Sequence, residues 1–374
     1  MPAPHRPPFR ADQVGSLLRP PLLVAARERF AANEISRDEL RAVEDEAVRT
    51  SVKRQEETGL LATTDGEFRR SAWHMDFISA LGGVVRAPGN LVVKFENEHE
   101  KIEFTPDAFK IEGRIHLPQV IFEEAFKFLA GVVTTSMPKL TIPSPAMVHF
   151  RGGDPALVGS DYESVEEFYA DLAAAYREEI AALYELGCRY LQLDDTSLAL
   201  LNSPEQRAAI ASIGGDPERQ HETYVRLIND AISQRPPDMT ITTHLCRGNF
   251  RSSWSASGSY DYVAEAVFGE LDVDGFFLEF DDERSGGFEP LRFLAPGKFV
   301  VLGLVTSKRP ELEDPAQLKS RIANAARVLP LDQLCLSPQC GFASTVEGNQ
   351  LSEEEQFAKL RLVLETAEEV WGEI

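Results

Sequence analysis

From residue 164 onward the chain alternates between helical and strand-like segments with almost nothing between them, and this rhythm restricts the fold more than any other feature. Ser164-Val165-Glu166-Glu167 has the capping-box spacing and opens a helix over 164–186, which Gly187 ends. An apolar strand over 190–193 runs into Asp194-Asp195, and a helix over 216–234 follows with Pro217 at its first position. An alternating run from Met239 to Thr243, a helix over 260–268 and strands over 275–279 and 299–303 continue the pattern. A helix over 314–329, a strand over 334–337 and a last helix over 352–371 complete it. Upstream, strands are expected at 13–17, 60–64 and 140–150, the last broken by Pro143 and Pro145. Helices are expected after Pro20-Pro21 and over 36–58, 72–81 and 119–130, the second opened by the Ser36 to Glu39 capping box. Eight strands alternating with helices predict an α/β chain of the (β/α)8 TIM-barrel type, one domain over 1–374. A doubly wound open sheet is the alternative, weakened because no G-x-G-x-x-G turn follows a strand. Residues 83–118 break the rhythm with short alternating runs among Pro and Gly, and read as a β-hairpin insertion outside the main sheet.

Composition narrows the function classes. A formal charge of −22 repels phosphate backbones and anionic membranes, so a nucleic-acid or membrane partner is not expected. No run of about 18 apolar residues is present to span a bilayer. Residues 1–10 are Pro-rich without an apolar core, and read as a frayed tail rather than a secretion signal. Four cysteines in 374 residues make no disulfide framework, so a cytoplasmic location is expected.

The reactive residues follow strands rather than precede them, which in a barrel is the active face. His244 and Cys246 are two apart at the end of a strand and so point to one side of it. Another strand ends in Glu279, and the last runs into Ser337-Pro338-Gln339-Cys340-Gly341. His, Cys, Glu and Cys from three strand ends form a tetrahedral zinc set. They share no knuckle of closely spaced cysteines, and a carboxylate is displaced more easily than a thiolate, so the zinc site is expected to be exchangeable. Blander readings exist for each: Cys340 as a small core residue, Glu279 as part of the acidic loop 279–283, Glu67 as a surface partner of Arg69 or Arg70, Lys308 as a solvated lysine. Asp194 and Asp195 cannot both face inward; Asp194 is taken as the inward one and Asp195 as a cap for the next segment. Cys188 and Cys335 read as core thiols.

Six stretches in order carry a resemblance. They are Val14-Gly15-Ser16, Asp65-Gly66-Glu67-Phe68, Gln192-Leu193-Asp194-Asp195, Thr243-His244-Leu245-Cys246, Phe277-Leu278-Glu279 and Pro338-Gln339-Cys340-Gly341. With them the chain resembles the C-terminal catalytic barrel of the cobalamin-independent methionine synthase family, in a short, single-barrel form. The resemblance implies a zinc that activates homocysteine for methylation at sulfur, with His244, Cys246, Glu279 and Cys340 as ligands. It implies Glu67 and Asp194 around the amino group of homocysteine, Ser16 at its carboxylate, and Asp194 and Lys308 as the catalytic pair. Lys308 stands where the long enzymes carry a histidine that assists proton transfer, and the tryptophan lining their folate site is missing near Met147. The methyl donor implied is therefore methyl-tetrahydrofolate or a methyl-corrinoid, the latter carried on a partner protein, and a homodimer is possible. Alternative readings are an alkyltransferase acting on another thiol, such as coenzyme M with an epoxide, and a non-catalytic zinc-binding barrel.

Overall fold

The computed structural model describes residues 6–89, 92–97, 100–105, 107–150, 152–212 and 215–372. Residues 1–5 of the expected tail, and 90, 91, 98, 99 and 106 of the expected insertion, lie outside these. The strands are β1 (Ala62–Thr63), β2 (Gly82–Ala87), β3 (Val93–Glu96), β4 (Lys101–Phe104), β5 (Ala108–His116), β6 (Met137–Pro143), β7 (Tyr190–Asp195), β8 (Thr240–Leu245), β9 (Gly275–Glu279), β10 (Phe299–Val305) and β11 (Leu334–Pro338). The helices are α1 (Pro21–Ala31), α2 (Arg37–Thr58), α3 (Met75–Ile78), α4 (Glu123–Val132), α5 (Ala146–Phe150), α6 (Val165–Glu185), α7 (Ser197–Leu200), α8 (Pro204–Ser212), α9 (Gln220–Ile232), α10 (Ala264–Glu270), α11 (Pro315–Ala325) and α12 (Glu353–Trp371). No helix among the described residues is long and apolar enough to cross a membrane.

Seven strands form one curled parallel sheet in the order β1-β6-β7-β8-β9-β10-β11, a TIM-barrel-like arrangement with helices packed outside it. The ladder aligns Asp194 with His244 across β7 and β8, and His244 with Phe277 across β8 and β9. The strand ends that carry the reactive residues are thereby level with one another.

The expected first strand, 13–17, is not a strand. A parallel bridge joins Ala11 to Leu336 instead, with Asp12 N–H donating to Leu336 and Leu336 N–H to Arg10. Beyond it the chain leaves the ladder, and side chains take over. Gln13 Nε2 donates to Gln55 and Thr64, and the Thr64 hydroxyl donates to the Gly15 carbonyl at 2.6 Å. Nor is the tail frayed where it is described. Pro7 to Arg10 are buried, and the Arg10 guanidinium donates to the carbonyls of Asp332 and Leu334.

The insertion is more than one hairpin: β2 pairs antiparallel with β5, and between them β3 pairs antiparallel with β4. Residues 147–150, expected to be strand, are the short helix α5. The helix expected over 72–81 shrinks to Met75–Ile78 because its first part is used elsewhere. Asp76 accepts from the N–H groups of Ser71 and Ala72, and Trp73 N–H donates to Ser344. The helix expected from 216 begins at Gln220, after a turn in which Asp216 accepts from Glu218 N–H. The capping boxes at Ser36 and Ser352 are formed in full. Ser164 accepts from Glu167 N–H without the reciprocal bond.

The main core lies between sheet and helices. Inside the curl a smaller cluster holds Val14, Phe277, Val301 and Cys335. Burial pushes the thiols of Cys188 and Cys335 up to about 12, which leaves them inert. The interior also holds an ion pair that the sequence did not suggest. Lys139 Nζ lies 3.2 Å from Asp12, donates to the Gln13 carbonyl and sits over the rings of Tyr190 and Phe277.

Candidate metal and thiol site

The end of β8 presents His244, and Cys246 follows one step beyond, its N–H donating to the Asp195 carbonyl at 2.8 Å. The end of β9 presents Glu279, and the turn after β11 presents Cys340. Their ligand atoms lie within 4.8 Å of one another, and all four residues are buried. The two sulfurs are 3.5 Å apart. His244 Nδ1 donates to the Phe277 carbonyl at 3.3 Å, which leaves Nε2 without a hydrogen bond in a buried site. That is the tautomer a metal-binding imidazole needs, with the outer nitrogen fixed by a backbone carbonyl. Glu279 accepts from Arg247 N–H at 2.7 Å on one oxygen and from Gln339 Nε2 at 2.6 Å on the other, so its carboxylate cannot rotate freely. Two soft thiols, one imidazole and one oriented carboxylate fit zinc.

The charges agree with that donor set. Cys340 is held well below the usual thiol range by the hydrogen bond from Cys246 and the adjacent His244 imidazole. Cys246, the partner that keeps the proton, is pushed well above it. Burial pushes Glu279 up, but Lys308, Arg284, Arg247 and His244 outweigh burial and keep it below the usual carboxylate range. The Arg247 guanidinium is itself buried, 4.2 Å over the Tyr260 ring.

A second group shares the cavity. Asp194 accepts from Gln192 Nε2 at 2.7 Å. Glu67 sits at φ +61°, a backbone state rare for glutamate and one that aims its side chain inward. One Glu67 oxygen accepts from the Thr141 hydroxyl at 2.8 Å and lies 3.6 Å from Arg70; the other is buried without a partner. Burial and the mutual repulsion of the two carboxylates raise Asp194 to about 7, and Glu67 also rises, chiefly through burial. Ser16 accepts Ala343 N–H at 3.4 Å, and a Cβ on Gly341 would stand 2.0 Å from its hydroxyl oxygen, so a side chain at 341 would displace that hydroxyl.

Ser16, Glu67, Asp194, His244, Cys246 and Cys340 all line one cavity of about 340 Å³. Glu279 lies behind it, fully buried. Lys308 does not line this cavity. It lines a neighbouring one of about 560 Å³ with Trp254, Asp281 and Asp282, and its Nζ has no hydrogen-bond partner. Asp195 also borders this cavity, but its carboxylate accepts from the Ser197 hydroxyl and Leu198 N–H at the start of α7. Arg69 pairs with Glu44 and Asp45 rather than with Glu67, and Arg19 spends its guanidinium on four backbone carbonyls.

Several supporting residues escaped the sequence reading. Gln192 is two residues from Asp194 and therefore on its side of the strand, a signal that was available. Gln339 adjoins Cys340 but gave no sign of reaching Glu279. Thr141 and the hairpin phenylalanines come from distant segments and carried no local signal; Arg70, three residues from Glu67, was readable as its partner, though the pair is buried rather than at the surface.

The family model described as cobalamin-independent synthase, catalytic domain, matches residues 11–369. The Bacillus subtilis (strain 168) protein YxjH, itself uncharacterized, is 48% identical over 371 residues, 98% of this chain and 96% of that protein. A solved structure from Listeria monocytogenes, described as a candidate vitamin-B12 independent methionine synthase, matches with TM-score 0.77 at 42% identity, covering 98% of this chain and 99% of that one. The methionine synthase of Pyrococcus abyssi (strain GE5 / Orsay) is 23% identical over 335 residues, 88% of this chain and 84% of that protein. With that model matched almost end to end and relatives of this identity along nearly its full length, the chain belongs to the cobalamin-independent synthase family and spans its catalytic domain.

Proposed function

We propose that the protein is a zinc-dependent S-methyltransferase that methylates the thiol of homocysteine to give methionine. The observation that carries this reading is one cavity lined both by soft metal donors and by two buried carboxylates, Glu67 and Asp194, with one Glu67 oxygen left without a hydrogen-bond partner. A zinc ion held by His244, Cys246, Glu279 and Cys340 would lower the pKa of an incoming thiol and keep it as a thiolate. Glu67 and Asp194 bind the substrate ammonium, which offsets the repulsion between them. Ser16 and the turn before it meet the substrate carboxylate. Gln339 and Arg247 N–H orient Glu279, and Phe277 orients His244.

The family relation and the methionine synthases among the relatives support the same acceptor. A sulfonate thiol such as coenzyme M has no ammonium for Glu67 and Asp194, which speaks against that alternative. On the donor side, methyl-tetrahydrofolate leaves only once its nitrogen is protonated. Lys308, the candidate acid, lines the neighbouring cavity, so the site favours donors whose leaving group needs no proton; a methyl-corrinoid is one such donor. We read the chain as a single closed (β/α)8 barrel, with residues 10–17 filling the gap between β11 and β1 in place of an eighth laddered strand. The two ligand thiols and two inert thiols suit a reducing cytoplasm.

Zinc X-ray absorption with and without homocysteine tests the reading. Gain of one sulfur neighbour on adding homocysteine is expected. An unchanged spectrum with homocysteine would overturn it, and a change with coenzyme M alone would move the acceptor to that thiol.

A further inference from the structure

The insertion roofs the thiol cavity with aromatic rings. The β3–β4 hairpin is tied to the loop after β8: Glu96 and Trp254 exchange backbone hydrogen bonds of 2.8 and 3.0 Å, and Asn97 donates to the Ser253 hydroxyl. Phe95 and Phe104 stack at 5.9 Å, and both rings pack against Phe250, at 5.6 and 5.1 Å. This cluster reaches the metal ligands. A Cβ on Gly248 would meet the Phe95 ring at 3.0 Å, and Gly248 N–H donates to Cys246 Sγ. Phe95, Phe104 and Phe250, with Trp73, line the cavity.

The same cavity is electronegative. Glu67, Asp107, Asp194, Asp195 and Glu347 line it, against Arg86 as the one arginine or lysine among the described lining residues, with Arg70 behind Glu67 at 3.6 Å. Arg86 Nε is engaged by the Ser79 hydroxyl. The metal set adds two thiols and a carboxylate, three potential negative charges against the two of a zinc ion. Aromatic faces combined with surplus negative charge select cations, and above all methylated cations, which are weakly hydrated and lie well against rings. Glu67 and Asp194, on the floor, are taken by the substrate ammonium; Asp107 and the phenylalanines, on the roof, are not.

We propose that the methyl donor is a small onium compound, a sulfonium or a quaternary ammonium, seated against Phe95, Phe104 and Phe250 with Asp107 near its charge. This rests on the thiol-methyltransferase reading and extends it to the donor. The thiolate sulfur attacks the methyl carbon in line, a C–S bond forms, and the bond from methyl to the onium centre breaks. The electron pair of that bond stays on the donor, which leaves as a neutral sulfide or amine; the proton given up by the thiol passes to solvent. No acid is needed at the leaving group, in keeping with Lys308 lining the other cavity.

The test supplies the metal-loaded protein and homocysteine with S-methylmethionine, glycine betaine, methyl-tetrahydrofolate or methylcobalamin, and counts methionine. Product from S-methylmethionine identifies a sulfonium donor, and product from glycine betaine an ammonium donor. Product from methyl-tetrahydrofolate or methylcobalamin alone overturns the proposal and leaves the acceptor reading standing. Product from none of the four overturns it as well, and the X-ray absorption change with homocysteine then decides whether the acceptor reading survives. Phe104→Leu and Asp107→Asn are each expected to raise the donor KM by about threefold to thirtyfold, with a much smaller effect on the KM for homocysteine. Calorimetry gives a readout without turnover. Trimethylsulfonium or choline is expected to bind at least tenfold more tightly than the neutral isostere 3,3-dimethylbutanol, and equal affinities would overturn the proposal.

Discussion

Cys340 and Gln339 are neighbours in sequence with different tasks, and substitutions separate them. On the proposed zinc-site reading, Cys340→Ser replaces a soft thiolate by a hydroxyl that stays protonated near neutral pH, so zinc should be lost on dialysis against a mild chelator and turnover with it. Full activity after zinc loss would remove the metal from the mechanism. Gln339→Leu keeps all four ligands but takes the 2.6 Å hydrogen bond from Glu279. A tenfold to hundredfold fall in zinc affinity is expected, measured by competition with a chromogenic chelator. The difference between the two residues also shows what a sequence can carry. That His244, Cys246, Glu279 and Cys340 come together was legible because chemistry restricts candidate donors to a few residue types and strands restrict where those residues point. Gln339 and Thr141 act by hydrogen bonds that many side chains could supply, so nothing local announced them.

At the level of elements, segments failed to follow their local pattern where another segment offered better partners. Residues 71–74 have helical character, yet Trp73 N–H goes to Ser344 and Asp76 takes the turn before α3. The Ser164 and Ser36 starts were readable because a cap is built from residues three apart. Glu179 on α6 shows a partnership invisible to such patterns. Its carboxylate accepts from Ile121 N–H just ahead of α4. Burial raises it to about 7, and the N–H groups of Ile121 and Phe122 only partly offset this. The sign follows directly. With the folded pKa above the unfolded value near 4.5, the folded state binds the extra proton between pH 4.5 and 7. This contribution to stability is complete below about pH 4.5 and is lost as pH rises to 7. Glu179→Gln should therefore flatten the fall in stability across that window, by roughly 3 kcal/mol at most, read from urea unfolding at matched pH values. Parallel pH profiles for the two proteins would show that Glu179 keeps an ordinary pKa.

The molecule as a whole depends on how residues 10–17 are held between β11 and β1, because that stretch delivers Ser16 to the turn holding Cys340. One short bridge to Leu336 is too little to hold it. Leu17 N–H donates to Gly66, Phe342 N–H to Ser16 and the Thr64 hydroxyl to Gly15, and the interior adds an ion pair: Asp12 accepts from Lys139, from the Tyr190 hydroxyl and from Phe9 N–H, while Lys139 also donates to the Gln13 carbonyl. These groups reach across the inside of the curl, so the pair works as a brace between strands that share no ladder. Lys139→Met fills nearly the same volume but leaves the Asp12 carboxyl without its cation in a dry interior, a change that costs about 3–5 kcal/mol. A second substitution, Asp12→Asn, removes the stranded carboxyl, keeps the acceptor for Tyr190 and should recover a large part of that loss. If the brace positions the site as well as the fold, the Lys139→Met protein, assayed well below its melting temperature, should show a raised KM for homocysteine through Ser16 while its zinc affinity stays near normal, since the four ligands sit on other strands. Equal losses of zinc affinity and substrate binding would mean instead that the whole sheet loosens, and that the brace has no particular hold on Ser16.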